Sequence, residues 1–312
     1  MPTFVSSFFA VKLDILGSKG HKVYYFLQKG TKSTILTTNT NPSLDLVYNF
    51  LYIGTMSTLN QTKINQLLNA SPQGAVLLSS WLARQGYSPD LQKRYRKSNW
   101  LDSLGSGAMM RAGDTVDYYG ALYALQTQAD LHVHPGGTTA LSLLGKSHYL
   151  ELSPNRAVLF GGGREILPKW FRDHDWHVAM EYHPTSFLPN DVGLQDFEVK
   201  NFSIKVSSAA RAMMECLYLA PEKQELVECF ELMEGLNNLR PALVQQLLEQ
   251  CSSVKVKRLF IYLAEKAGHE WLQYLDLQKI DLGSGKRSLI KSGVYVAKYQ
   301  ITVPKELAEH DK

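Results

Sequence analysis

Cysteine is scarce in this chain: Cys216, Cys229 and Cys251 are the only three among 312 residues. The count is odd, the spacing is wide and no CxxC pair occurs, which excludes a disulfide scaffold and a cysteine-ligated zinc site. Each thiol lies in an apolar-periodic segment, so free buried thiols in a reducing cytoplasm are expected. Long apolar runs are also missing. Nothing reaches the roughly eighteen residues that a membrane-spanning helix needs. Phe4, Phe8, Phe9, Ala10 and Val11 are apolar but follow no basic region, and Asp14 soon interrupts them, so they do not read as a signal peptide. Glutamate is absent from residues 1–55.

What is present is globular: 45% of residues are hydrophobic, enough for a sizeable core. The net charge of +4 is unevenly placed. Residues 1–55 carry five Lys against two Asp, residues 56–115 seven Lys and Arg against three Asp, and residues 116–312 carry 21 basic against 24 acidic side chains. Positive charge at the front joined to a near-neutral remainder points to a polyanion partner for the front.

Residues 1–55 differ in texture from the rest. They are rich in Ser, Thr, Phe and Tyr, with short β-prone runs at Val23–Leu27 and Thr34–Thr38 and turns at Lys29-Gly30 and Asn39–Asn41. No amphipathic helix can be traced. Two readings stand: a β-rich or disordered extension, or a start assigned too far upstream, with Met56 the natural initiator. The abrupt change at a methionine favours the second.

After Met56 the pattern becomes regular. Ser57 or Thr58 can cap a helix to about Ala70, with Ile64, Leu67 and Leu68 on one face. Ser71-Pro72-Gln73-Gly74 ends it, and Val76–Leu78 is a short apolar run. Ser79 or Ser80 caps a second helix, Trp81–Gln85, which Gly86 stops. Ser88 and Pro89 then open a third helix as cap and first residue. Two helices about a short glycine-containing turn form a helix-turn-helix. On the third helix Leu91, Tyr95 and Ser98 share a face expected to be inward. Lys93, Arg96 and Lys97 point the other way, with Gln92 beside them, as a major-groove reader needs. Arg and Lys can reach phosphates or guanine edges, and Gln can pair with adenine. Residues 100–104 and 108–113 read as two strands about Gly105-Ser106-Gly107, the wing that follows a recognition helix. The candidate DNA contacts are Gln92, Lys93, Arg94, Arg96 and Lys97 on the helix, with Ser106 and Arg111 in the hairpin. The competing reading is a solvated face on an ordinary core helix.

Several stretches in this order resemble AbiEi-type antitoxins. They include Leu78-Ser79-Ser80-Trp81-Leu82, Arg94-Tyr95-Arg96-Lys97-Ser98-Asn99-Trp100-Leu101 and the run from Gly107 to Asp114. Val133-His134-Pro135-Gly136-Gly137-Thr138-Thr139, Leu167-Pro168-Lys169-Trp170-Phe171 and Ser207-Ser208-Ala209-Ala210-Arg211-Ala212 continue the likeness. So do Met233–Leu236, Val256–Phe260, Ile280–Arg287 and Lys298–Pro304. It spans roughly Met56 to Lys305 and omits residues 1–55. The resemblance implies repression of the protein's own operon through inverted repeats in double-stranded DNA. It also implies antagonism of a nucleotidyltransferase-like toxin in a type IV toxin–antitoxin (abortive infection) system, without a stable complex between the two.

In the larger portion a helix is expected over 117–128, strands near 131–133, 157–160, 178–182 and 202–206, and a helix capped by Thr138 or Thr139. The pattern turns helical from Ser207, with Pro241 opening one helix and Val256, Phe260 and Leu263 marking another. Enzymatic signatures are incomplete. Gly283-Ser284-Gly285-Lys286 lacks the first glycine of a P-loop, since position 280 is Ile, and lacks its Ser/Thr, since position 287 is Arg. Gly161-Gly162-Gly163 reads as a surface turn rather than a phosphate cradle. His132 and His134 form an HxH pair that a strand would place on one face, followed by His174, His177 and His183, but no carboxylate stands at metal-site spacing. Asp173 and Asp175 read as loop charge.

The fold class expected is therefore α+β: an atypical extension over 1–55, a winged helix-turn-helix over 56–115 and a larger mixed α/β antitoxin domain over 116–312. The function expected is a cytoplasmic DNA-binding autorepressor and antitoxin, not an enzyme, with no cofactor, metal or membrane partner. The alternatives are a metal- or nucleotide-dependent enzyme carrying a DNA-targeting module, and a protein-interaction adaptor. A chain that begins at Met56 is expected to fold and bind as the full chain does. Circular dichroism of that chain and the mass of native material check this, and loss of folding on truncation would overturn it.

Overall fold

The computed structural model describes Phe9–Val11, Tyr25–Leu27, residues 62–146 and residues 156–308. The chain divides into two compact units, Met1–Thr62 and Lys63–Lys312. In the first, β1 (Phe9–Val11) pairs antiparallel with β2 (Tyr25–Leu27), Ala10 opposite Phe26. Thr34–Thr38, Met56 and the caps expected at Ser57 or Thr58 lie outside the described residues.

The second unit opens with α1 (Lys63–Ala70), β3 (Leu77–Leu78), α2 (Ser79–Arg84), α3 (Pro89–Lys97), β4 (Leu101–Gly105) and β5 (Ala108–Arg111). The strands form one antiparallel sheet in the order β3-β5-β4. Local chemistry sets the ends of these elements. Gly86 holds φ at +85° after α2, a conformation that suits glycine. The Ser88 side chain accepts from the Leu91 amide at 3.3 Å, and Pro89 stands at the first turn of α3. The serine cap expected for α2 is not used. Leu78 occupies the cap position without a side-chain bond, and Ser79 and Ser80 are inside the helix.

Ile64, Leu67, Leu77, Leu82, Leu101 and Met109 form the small core beneath these helices. Leu91 does not join it. Leu91 and Tyr95 are only half-buried, and Gln92 takes the buried position on α3. At about 100° per residue Tyr95 lies between Leu91 and Gln92 around the helix, so Gln92 belongs to the inner arc as much as Leu91 does.

The expected boundary at 115/116 is not a break in packing, because residues 63–312 form one compact unit. Successive residues of a strand point to opposite faces. Leu77 and its partner Met109 enter the small core, whereas Leu78 and its partner Ala108 enter a second one. There they meet Ala121, Leu122 and Leu125 of α4 (Tyr118–Gln128), together with Leu159, Trp170 and Phe171. The Gln128 side chain closes the seam by accepting from the Leu78 amide at 2.8 Å and donating to the Val76 carbonyl at 2.8 Å.

Beyond α4, a three-stranded sheet has the order β6-β7-β8, built from β6 (His134–Pro135), β7 (Arg156–Gly161) and β8 (Ala179–Pro184). β6 and β7 are antiparallel and β7 and β8 parallel, a mixed sheet. α5 (Gly137–Leu143) and α6 (Lys169–Asp173) lie in the connections. A hairpin of β9 (Leu194–Val199) and β10 (Phe202–Ser207) follows. Then come α7 (Ala209–Leu219), α8 (Leu226–Glu234), α9 (Pro241–Gln250) and α10 (Val254–Lys266), a short pair β11 (Val294–Val296) and β12 (Ile301–Val303), and α11 (Lys305–Ala308). The largest core surrounds α7 and α10, whose Met213, Leu217, Leu259 and Phe260 are fully buried. The three thiols are free and buried. The α+β expectation therefore holds. Residues 131–133 belong to no strand, pairing begins only at His134, and α5 is preceded by Gly136 with no side-chain cap. Thr139 instead accepts the Val158 amide at 2.8 Å. Among the described residues no helix is long and apolar enough to cross a membrane.

Leu82→Ala should lower unfolding free energy by about 2–5 kcal/mol, as a large-to-small change in a sealed core does. Leu91→Ala should cost well under half of that. Denaturant melts of the two variants check the order, and equal losses would contradict the packing described.

Candidate nucleic-acid interface

α3 presents its cations outward. Lys93, Arg94, Arg96 and Lys97 are all exposed, and none makes a hydrogen bond or ion pair among the described residues. Three of the four stand in the last turn, where positive charge also complements the helix dipole. That dipole effect explains their tolerance there. It does not explain why four cations share one helix with no acid beside them except Asp90 in the first turn. Ser106 is exposed at the tip of the β4–β5 hairpin, next to Gly107 with φ at +82°.

Two of the expected contacts point elsewhere. Gln92 is 2% exposed. Its amide nitrogen donates to the Ser79 carbonyl at 3.1 Å and the Tyr87 carbonyl at 2.7 Å, and its oxygen accepts from the Ser79 hydroxyl at 2.6 Å. Every group that could address adenine is thus occupied in fastening α3 to α2 and to the intervening turn. Arg111 is likewise turned inward, its guanidinium donating to the Leu68 and Ser71 carbonyls at the end of α1. It satisfies carbonyls that a helix C-terminus leaves open. Five of the seven expected residues remain available to a ligand: Lys93, Arg94, Arg96, Lys97 and Ser106.

The histidines do not converge. His132 is outside any strand and bonds through Nδ1 to Glu165 at 2.7 Å. Glu165 also accepts the Gly162 amide at 3.0 Å, so a carboxylate already occupies the glycine triplet. His183 pairs with Glu181 at 2.9 Å, the His174 ring lies tilted against Trp176 and His177 is exposed beside Asp175. Asp173 pairs with Lys169. Among the described residues no three His, Cys, Asp or Glu side chains are placed to hold a metal ion. The loop at Gly283–Gly285 turns carbonyls, not amides, toward a partner: Arg258 donates to the Leu282, Gly283 and Gly285 oxygens.

A buried polar cluster forms where β6, β10 and α7 meet, and sequence spacing gave no sign of it. Glu215 is fully buried. It accepts from Ser207 Oγ at 2.8 Å, Arg211 Nε at 2.9 Å, the Gly137 amide at 2.9 Å and His134 Nε2 at 3.2 Å. Arg211 continues to the Pro189 and Val192 carbonyls at 2.6 Å each. Hydroxyl, imidazole and carboxylate are thus together, yet Ser207 donates to Glu215 rather than to His134, and all three side chains are sealed from solvent. The arrangement locks together segments distant in sequence, His134 and Glu215 being 81 positions apart. Burial alone would raise the Glu215 carboxyl, but bonds from His134 and Gly137 and the charges of His134 and Arg211 outweigh it and hold it below its ordinary value.

The fold and this front face define a mixed α+β protein with a cationic helix-and-hairpin surface. A model of the AbiEi antitoxin N-terminal domain of transcriptional regulators matches residues 60–152. A second, described as transcriptional regulator, AbiEi antitoxin, type IV toxin–antitoxin system, matches residues 154–304. The chain therefore belongs to the AbiEi antitoxin family of transcriptional regulators of type IV toxin–antitoxin systems. No curated protein matches it. Among solved structures, the crystal structure of the RV2827C protein from Mycobacterium tuberculosis shares the fold at 14% identity and a TM-score of 0.50, over 79% of this chain and 92% of that one.

Because the folded-state carboxyl of Glu215 is depressed, its stabilisation is present above the unfolded-state value of 4.5 and is lost as pH falls through the folded value. Thermal stability should accordingly drop on acidification from pH 4.5 downward. Glu215→Gln should cost about 3–5 kcal/mol at neutral pH, the usual result of breaking a buried charge pair, and should flatten that acid limb. Melts of both proteins across pH check this. An unchanged acid limb in the variant would remove Glu215 as its cause.

Proposed function

We propose that residues 56–115 form a winged helix-turn-helix and that the protein represses transcription of its own operon. α3 enters the major groove of inverted repeats in double-stranded DNA, and Ser106 meets phosphate from the hairpin. The observation that carries this reading is the outward set Lys93, Arg94, Arg96 and Lys97 on α3, exposed and, among the described residues, without a hydrogen bond or ion pair. Family membership supplies the regulatory setting. As antitoxin the protein counters a nucleotidyltransferase-like toxin without a stable complex with it. It acts in the cytoplasm, without catalysis and without metal or cofactor.

The reading is tested by salt titration of operator binding. If Lys93, Arg96 and Lys97 meet phosphates, each change to Ala should lessen the salt slope by about 0.9. A contact to a base edge should instead cost about 1–3 kcal/mol at one operator position and relax specificity there. Circular dichroism should show all three variants folded, since none of these side chains is buried. Normal folding with unchanged affinity and slope in all three would falsify α3 as the reader and leave a solvated face.

A further inference from the structure

The hairpin tip is fastened to the larger part of the chain. A Cβ placed on Gly105 would lie 2.9 Å from Trp170 Cβ and 3.4 Å from its Cα, so only glycine lets β4 approach α6 this closely. Gly105 does not hold a positive φ, so the requirement is for space and not for backbone conformation. Leu104, beside it, packs on the same core as Trp170, and Ala108, where β5 begins, is fully buried in it. Trp170 is itself gripped: its ring meets Phe171 at 5.8 Å and Trp176 at 6.4 Å, both edge-on, and the Trp176 indole donates to the Phe171 carbonyl at 2.8 Å. The β4 register shifts between Ser103 and Gly105, and that irregularity falls where the strand meets α6.

We infer that Trp170 is a positioning residue for DNA binding: by seating Gly105 on α6 it fixes the wing tip, Ser106 and Gly107, relative to the cationic face of α3, without touching DNA itself. This rests on the DNA-reading proposal above and adds to it that the larger domain sets the wing. A wing that is free to swing meets the duplex at the cost of ordering it. A wing already seated on a rigid aromatic triad meets it with that cost removed. The tip offers a hydroxyl and backbone amides but no cation, so its contribution to binding is free of counterion release.

The experiment compares wild type, Gly105→Ala, Trp170→Phe and Trp170→Ala in the full chain, measuring melting temperature, operator affinity over a salt series and hydroxyl-radical footprints. Gly105→Ala lifts the hairpin from α6 without opening a cavity. It should weaken operator binding by roughly tenfold, the worth of one hydrogen bond to phosphate. Its salt slope should equal that of wild type, and it should lose footprint protection only at the phosphates flanking the α3 site. Trp170→Phe keeps a ring against Phe171 and Trp176 and should stay within about threefold of wild type, whereas Trp170→Ala keeps the Cβ that Gly105 meets but removes the ring that holds α6 in place, and should reproduce the Gly105→Ala footprint. Should Trp170→Ala fold poorly, Gly105→Ala and Trp170→Phe still decide. Wild-type affinity and footprint in a folded Gly105→Ala protein overturn the inference while leaving α3 as the reader. A lowered salt slope in Gly105→Ala also overturns it, because α3 would then have moved. Absence of operator binding by the wild type overturns the DNA-reading proposal itself.

Discussion

The second unit depends on the part of its first sheet where β3 meets β5, which is buried on both sides. Leu77 and Met109 face the small core under α1, α2 and α3, while Leu78 and Ala108 face the core shared with α4 and α6. A two-residue strand has little stability of its own. Here it persists because each of its side chains is claimed by a different core. The consequence is mechanical: the helices that carry the cations cannot shift as a body against α4 without opening both cores. Gln128 reinforces the seam by pairing with the backbone on either side of Leu77, and Arg84 adds a bond to the Gln128 carbonyl at 2.6 Å.

Polar side chains hold the front elements to one another where apolar ones are few. Gln92 sits where a leucine would be ordinary, and it joins α3 to the Ser79 and Tyr87 carbonyls. A buried amide is tolerated because its donors and its acceptor are satisfied. Arg111 does the equivalent for the end of α1. These two residues explain why α3 keeps its four other long polar side chains outward. The inner arc is full, and the turn leading into α3 is bonded to it. Positioning of the cationic face and burial of Gln92 are one fact seen from two sides.

Farther along the same unit the same logic operates around a charge. Glu215 is the acceptor on which Ser207, Arg211, Gly137 and His134 converge; Gly136 is needed because a side chain there would enter the space of Glu215 and Phe160, and Gly137 because it holds φ at +51°. A buried carboxylate is costly unless its lone pairs are filled. Four donors fill them, and the segments that supply those donors are thereby fixed in register.

The sequence by itself determined the local elements and their order. Ser88-Pro89 starts α3, Gly86 stops the helix before it, Gly107 permits the hairpin, and the short apolar run Val76–Leu78 contains β3. These signals need only neighbouring residues, because caps, turns and period-two burial are local. The family likeness, carried by ordered short stretches, was legible for the same reason. Only tertiary structure decided which polar residues face outward. Helical periodicity places Gln92 within one residue step of Lys93, but whether it reads DNA or ties α3 to α2 depends on the Ser79 and Tyr87 carbonyls that come to meet it. Arg111 turned inward because α1 ends beside it, and the HxH pair separated because Glu165 and Glu215, distant in sequence, each took one imidazole. Burial is a property of what packs against a residue, and that partner is not written in the residue's own neighbourhood.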